Sequence, residues 1–298
     1  MESIISYLKS GRILLSDGAW GTMLQNRGLH TGDCPEQWNL IQPNLVEEVA
    51  SAYINAGSQL ILTNTFGASP FKLDSYGLRD KTREINKQGV LISRQAAGDK
   101  AYVAASVGPT GKFLQPLGEV SESEMMDAFS EQISGQAEGG ADAILIETMS
   151  DIGEALMAVK AAHKETSLPV MVTMTFERGK QGYKTMMGID IKRAVDALSE
   201  ADVSVLGTNC GNGIEQIIEI IAEMRKYTRS PLIAHPNAGL PRLEGDSTIF
   251  DQKPDVMASY VPDLIKSGAQ IVGGCCGTTP DYIKAMAEQI KHLNLKTD

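Results

Sequence analysis

Long apolar runs are missing from this sequence: no stretch approaches the ~18 residues that a membrane-spanning helix requires. The opening MESIISYLKSGR is too polar for a secretory leader, so a cytoplasmic protein is expected. An excess of positive charge is missing as well. Lys and Arg number 27 against 37 Asp and Glu, for a net charge of −10. That balance disfavours nucleic acid and anionic membrane surfaces as partners and leaves a small ligand or another protein. No low-complexity linker and no shift in composition divides the chain. Residues 1–298 are therefore read as one domain, long enough to bury a large core unaided. Cysteine is scarce, at four residues: Cys34, Cys210, Cys275 and Cys276. In a reducing compartment, clustered cysteines point to metal ligation or catalysis before disulfides.

What the sequence does have is a rhythm of short Val/Ile/Leu runs, each followed by a helical pattern. The runs predict strands at Arg12–Ser16, Gln59–Thr63, Tyr102–Val107, Ala143–Glu147, Val170–Thr175, Val203–Thr208, Pro231–His235 and Gln270–Gly273. Between them, stretches such as NLVEEVASAYINAG from Asn44 and GIEQIIEIIAEMRKYT from Gly213 place apolar residues at i, i+3 and i+4. Ser121 with Glu124 fits a capping box at the start of another. Eight strands alternating with helices imply parallel pairing, and their number predicts a (β/α)8 TIM barrel. The rival, an open doubly wound sheet, predicts a G-x-G-x-x-G turn after the first strand; SDGAWGTM stands there instead. Three segments, 25–43, 108–120 and 237–254, are predicted irregular. All lie at or beyond strand C-termini, where a barrel carries its active-site loops.

Polar residues collect at those same strand ends: Asp17 after the first strand, Asn64 and Thr65 after the second, Glu147 after the fourth, Cys210 after the sixth, His235 and Asn237 at the seventh, and GGCC at the eighth. Adjacent cysteines have Cα atoms about 3.8 Å apart, short of the usual disulfide span. Barrel closure instead brings Cys275 and Cys276 near Cys210, with one strand between. Zinc binds sulfur at about 2.3 Å in a tetrahedral site, and a catalytic zinc keeps one position open. Gly273, Gly274 and Gly277 would give the turn its freedom. A glycine-rich turn leading into a helix also fits a phosphate cradle, and spacing alone leaves that rival open. Cys34 lies in a loop without a partner and reads as structural. Asp17 and Glu147 suit an ammonium group, or the capping of nearby turns. Glu147 closes the apolar run AILIE and would otherwise be a buried carboxylate without a partner. Asn64, Thr65 and Asn237 would bind a ligand carboxylate or hold loops. His235 would be a fourth ligand, a base, or locally satisfied. Trp20 and Phe66 would wall a site or pack in the core, and Trp38 would join a lid.

Taken together, DGAWGTM, CPEQWNLIQPNLVEE, TNTF, ETMSD, TNC, PNAGLP and GGCCGTTP resemble the homocysteine S-methyltransferase family, and within it the homocysteine-binding module of cobalamin-dependent methionine synthase. The resemblance implies a (β/α)8 barrel, a zinc ion on Cys210, Cys275 and Cys276, and methyl transfer to homocysteine to give methionine. It implies that Asp17 and Glu147 receive the homocysteine amino group and that Gly18, Asn64, Thr65 and Asn237 line the substrate site. Where that family usually has an aromatic residue before PNAG, this sequence has His235. The D-x-H-x-x-G signature of cobalamin modules is absent from the chain, so the expected donor is methylcobalamin on a separate corrinoid protein. A donor of the S-methylmethionine or betaine type, or a non-catalytic role in a corrinoid system, is the alternative.

Overall fold

The computed structural model describes residues 1–244 and 247–294. Eight strands form one sheet: β1 (Leu14–Leu15), β2 (Leu60–Leu62), β3 (Tyr102–Val107), β4 (Ala143–Met149), β5 (Val170–Met174), β6 (Val205–Asn209), β7 (Leu232–His235) and β8 (Ala269–Val272). Their order is β1-β8-β7-β6-β5-β4-β3-β2, and every ladder is parallel. The remaining gap, between β2 and β1, is bridged without a ladder. Gln59 N donates to Leu15 O at 2.7 Å, and Leu62 N donates to Asp17 Oδ2 at 2.8 Å. The result is the expected barrel.

The eight runs form strands because both faces of each are buried. One set of alternating side chains, drawn from all eight strands, packs together: Leu14, Leu60, Leu62, Tyr102, Ala104, Ala143, Leu145, Met171, Val205, Ile233 and Ile271. These fill the lumen. Their neighbours in sequence, such as Leu15, Ile61, Val103, Ile144, Val172, Leu206 and Val272, belong to the outer core under the helices, as the two-residue period of a strand requires. Among further, shorter helices, one helix after each strand completes its β/α unit: α1 (Pro43–Ala56), α2 (Thr82–Ala97), α3 (Glu122–Glu138), α4 (Ile152–Glu165), α5 (Ile191–Glu200), α6 (Ile214–Met224), α7 (Val261–Ser267) and α8 (Pro280–Asn294). The capping box of Ser121 and Glu124 opens α3 with both of its reciprocal bonds.

A short helix, Ile4–Lys9, closes the N-terminal end of the barrel. Its Ile4 and Leu8 join the lumen cluster, and Gln270 Nε2 donates to Leu8 O at 2.8 Å. Among the described residues, the C-terminal end of the barrel is the open one. Three details there differ from the sequence reading. β1 is two residues long rather than five; beyond it, Leu62 N of the neighbouring strand meets the Asp17 carboxylate instead of a backbone carbonyl. Segment 237–254 is not irregular throughout but contains a hairpin, Pro241–Glu244 with Ser247–Phe250. A second, unanticipated hairpin follows β5, Glu177–Gly179 with Gly182–Lys184. Both are ribbons of three- or four-residue strands, too short for a two-residue period to stand out in sequence.

Candidate metal and substrate site

Cys210 follows the last residue of β6 in a left-handed conformation, φ 59°, and Gly211 continues it at φ 69°. A left-handed non-glycine residue is strained by about 1–2 kcal/mol. The bend is fixed by two backbone bonds: Cys210 N to His235 O at 3.1 Å, and Asn212 N to Cys210 O at 2.7 Å. It turns the Cys210 sulfur toward the turn after β8. In that turn Cys275 N donates to Pro236 O at 2.8 Å, and Cys276 N donates to Asn237 Oδ1 at 3.1 Å. Only Gly277 has a positive φ, 80°. Gly274 is needed for a different reason: a Cβ there would lie 2.2 Å from Thr278 Oγ1.

The three sulfurs lie within 4.8 Å of one another. Cys210 Sγ is 3.9 Å from Cys276 Sγ, which is 4.0 Å from Cys275 Sγ. Three sulfurs bound at about 2.3 Å on a tetrahedral centre stand about 3.8 Å apart, so the cluster fits zinc. Thiol hydrogen bonds from Cys275 and then Cys276 favour the thiolate on Cys210 and lower its pKa. The same contacts with Cys210 raise Cys275 and push Cys276 up to about 12. Three sulfurs this close ionise together only around a cation.

The cysteines border a pocket of about 300 Å³ that Gly18, Trp20, Asn64, Phe66, Ser106, Glu147 and Thr148 also line. Glu147 accepts a hydrogen bond from Ser106 Oγ. Burial, and secondarily the charges of Asp17 and Cys210, push its carboxyl up to about 7. Asp17 does not line the pocket. Its Oδ2 accepts from Leu62 N and from Trp20 Nε1, each at 2.8 Å, and burial raises it to about 7 as well. Among the described residues neither carboxylate has a Lys or Arg partner. A buried acid in the pocket wall with a second buried acid behind it, neither with a counter-ion, favours a cationic group in the pocket next to Glu147.

The other expected site residues divide. Gly18 and Asn64 line the pocket, and Asn64 also donates to Pro35 O at 2.7 Å and Asn39 Oδ1 at 3.0 Å. Thr65 and Asn237 are not in the lining. Thr65 is fully buried and donates to Ser106 O at 2.7 Å, whereas Asn237 supports Cys276. His235 is buried, held neutral by burial with a pKa of about 4, and its Nε2 has no partner. It does not join the cysteine cluster. Trp38 packs in the core rather than in a lid. Cys34 is buried beside Glu36, 3.5 Å from Oε2, and burial pushes its thiol up to about 12.

Four residues escaped the sequence reading. Ser106 and Thr148 touch the pocket, and Asn209 stands behind it. Glu36 also lines it, with Oε1 accepting from Gly67 N at 2.6 Å. Of these, Glu36, Thr148 and Asn209 lay within the quoted motifs CPEQWNLIQPNLVEE, ETMSD and TNC, but none was assigned a role there.

A family model described as homocysteine S-methyltransferase matches residues 14–290. The methionine synthase of Mycobacterium leprae (strain TN) is 34% identical over 301 residues, and that of Mycobacterium tuberculosis (strain ATCC 25618 / H37Rv) 32% identical over 302 residues. Each alignment covers 95% of this chain and 25% of the relative, so the chain spans about a quarter of the length of the curated relatives it matches. The metallated form of the homocysteine methyltransferase MmuM from Escherichia coli superposes with a TM-score of 0.81 at 24% identity, covering 95% of this chain and 98% of that one, and shares the fold. With its sequence matched over nearly the whole barrel, the chain belongs to the homocysteine S-methyltransferase family.

Proposed function

We propose that the protein is a zinc-dependent methyltransferase that converts homocysteine to methionine in the cytoplasm, with methylcobalamin on a separate corrinoid protein as the donor. One observation carries the reading: the three-sulfur cluster and the unpaired Glu147 carboxylate border the same pocket. A pocket of about 300 Å³ with both features in its wall suits a small amino acid that carries a thiol and an ammonium group. Cys210, Cys275 and Cys276 would hold the zinc ion, which when bound supplies a Lewis acid that stabilises a thiolate at neutral pH.

The chain's own residues then position the reactants. Glu147, oriented by Ser106, accepts the ammonium group, with Asp17 adding negative charge from behind. Trp20 and Phe66 exclude water from the sides of the pocket. The homocysteine sulfur attacks the donor's methyl carbon in line; a sulfur–carbon bond forms, the donor–carbon bond breaks with its electron pair leaving on the donor, and the thiol proton has gone to solvent. No side chain is needed as a base for that attack. Exposed apolar residues on loops at the barrel mouth (Phe66, Phe113, Leu117, Met186 and Leu240) suit a protein-borne donor. Among the described residues, no helix is long and apolar enough to cross a membrane.

The test is an assay of zinc-loaded protein with homocysteine against methylcobalamin, a methylated corrinoid protein, S-methylmethionine and betaine. Methionine is expected with the corrinoid protein, and a chelator should abolish it. Turnover with S-methylmethionine or betaine alone would reassign the donor. No methionine from any donor, with full zinc occupancy, would overturn the enzymatic reading.

A further inference from the structure

Asn209, the last residue of β6, is fully buried and uses all of its amide. Its Oδ1 accepts from Thr148 N at 2.9 Å and from Thr173 Oγ1 at 2.7 Å. Its Nδ2 donates to Thr148 Oγ1 at 2.7 Å and points a second hydrogen at Cys275 Sγ, 3.7 Å away. The orientation of the amide is not arbitrary. Thr148 N–H can only donate, so the oxygen must face it and the NH2 group must face the sulfur.

Thr148 is the residue this grip acts on. It is β-branched yet sits at φ 63°, a conformation that persists only where the surroundings impose it. It also lies in the register shift of β4 against β5, between Ile146 and Met149. That irregularity includes Glu147, so the bonds from Asn209 fix the segment that presents the Glu147 carboxylate to the pocket.

We propose that Asn209 is a positioning residue that ties the two ends of the substrate site together. One hydrogen bond steadies a metal-binding sulfur and withdraws charge from it, and two others hold the strained segment that aims the ammonium-binding carboxylate. This rests on the reading of the three cysteines as zinc ligands and of Glu147 as the ammonium acceptor. Residues one shell behind metal ligands commonly change metal affinity roughly 10–100-fold when replaced.

The test compares wild type with Asn209→Ser, whose side chain is too short to reach either partner. Three quantities are measured: zinc affinity by chelator competition, the sulfur-to-metal charge-transfer band of the cobalt(II)-loaded protein, and the KM for homocysteine at saturating zinc. In the folded variant, zinc affinity is expected to fall roughly 10–100-fold, the band to move to lower energy as the sulfur regains electron density, and KM to rise roughly tenfold or more with a smaller change in kcat. A folded variant with wild-type zinc affinity and KM overturns the proposal, and so does loss at one end alone, because the link is the claim. If the variant does not fold, wild type loaded with NMR-active cadmium decides. A scalar coupling between the Asn209 side-chain amide proton and the metal is expected, and its absence overturns the proposal. A wild type that binds no zinc would instead defeat the underlying functional reading.

Discussion

Replacing Glu147 with Gln should stabilise the ligand-free protein and at the same time cripple it. The substitution keeps the shape and leaves an oxygen to accept from Ser106, but removes a buried charge. A carboxyl whose pKa stands at about 7 instead of 4.5 is destabilised in its ionised form by about 3 kcal/mol. The sign follows from linkage. Because the folded pKa is raised, the folded state is unpenalised well below the ordinary value of 4.5 and loses stability progressively as pH rises to about 7 and slightly beyond. At about pH 8 the wild type therefore carries the full ~3 kcal/mol penalty, and at about pH 5 less than ~1 kcal/mol. Glu147→Gln should unfold at higher denaturant than wild type at the first pH and nearly together with it at the second, at matched zinc loading. Substrate binding should move the other way. Losing one partner of a buried ion pair typically destabilises it by about 3–5 kcal/mol, so kcat/KM for homocysteine should fall roughly a hundredfold or more. A variant no more stable than wild type at either pH, with kcat/KM within about threefold, would refute both halves of the reasoning.

Other outcomes follow from the same geometry. Cys276→Ser should lose bound zinc, from about one per chain to nearly none by metal analysis, since two thiolates do not complete a site of this type. The KM for homocysteine in the wild type should rise as pH falls below about 7, where Glu147 and Asp17 take up protons, and steady-state kinetics across that range would show it. Gly207→Ala would place a Cβ 2.0 Å from Ile233 O; backbone cannot yield like a side chain, so a loss of about 3 kcal/mol or more, or insolubility, is expected in denaturation experiments.

Much of the barrel was legible because buried parallel strands write themselves as unbroken Val/Ile/Leu runs, and all eight expected runs contain strands. β1 is shorter than its apolar run, and the seam beside it is closed partly by a carboxylate, which no hydrophobic pattern records. The cysteine cluster was legible for a topological reason: strand order places the ends of β6 and β8 on either side of β7, whatever the loops do. The roles of Thr65, Asn209 and Asn237 were not. An amide or hydroxyl at a strand end has the same letter whether it meets a ligand or a neighbouring turn, and only the hydrogen-bond partners tell them apart. The left-handed Thr148 was hidden too, since a β-branched residue gives no sequence hint of a positive φ.

The helix Ile4–Lys9, stoppering the far end of the barrel, makes it, among the described residues, a vessel with one doorway. If the proposed thiol and methyl donor react at this site, both use the same entrance. Order of arrival then matters. On the proposed function, homocysteine is expected to be seated before the donor settles over it, and methionine to leave only after the spent donor has moved aside. A donor that arrives first becomes a cork, so excess donor should inhibit turnover and added homocysteine should relieve it.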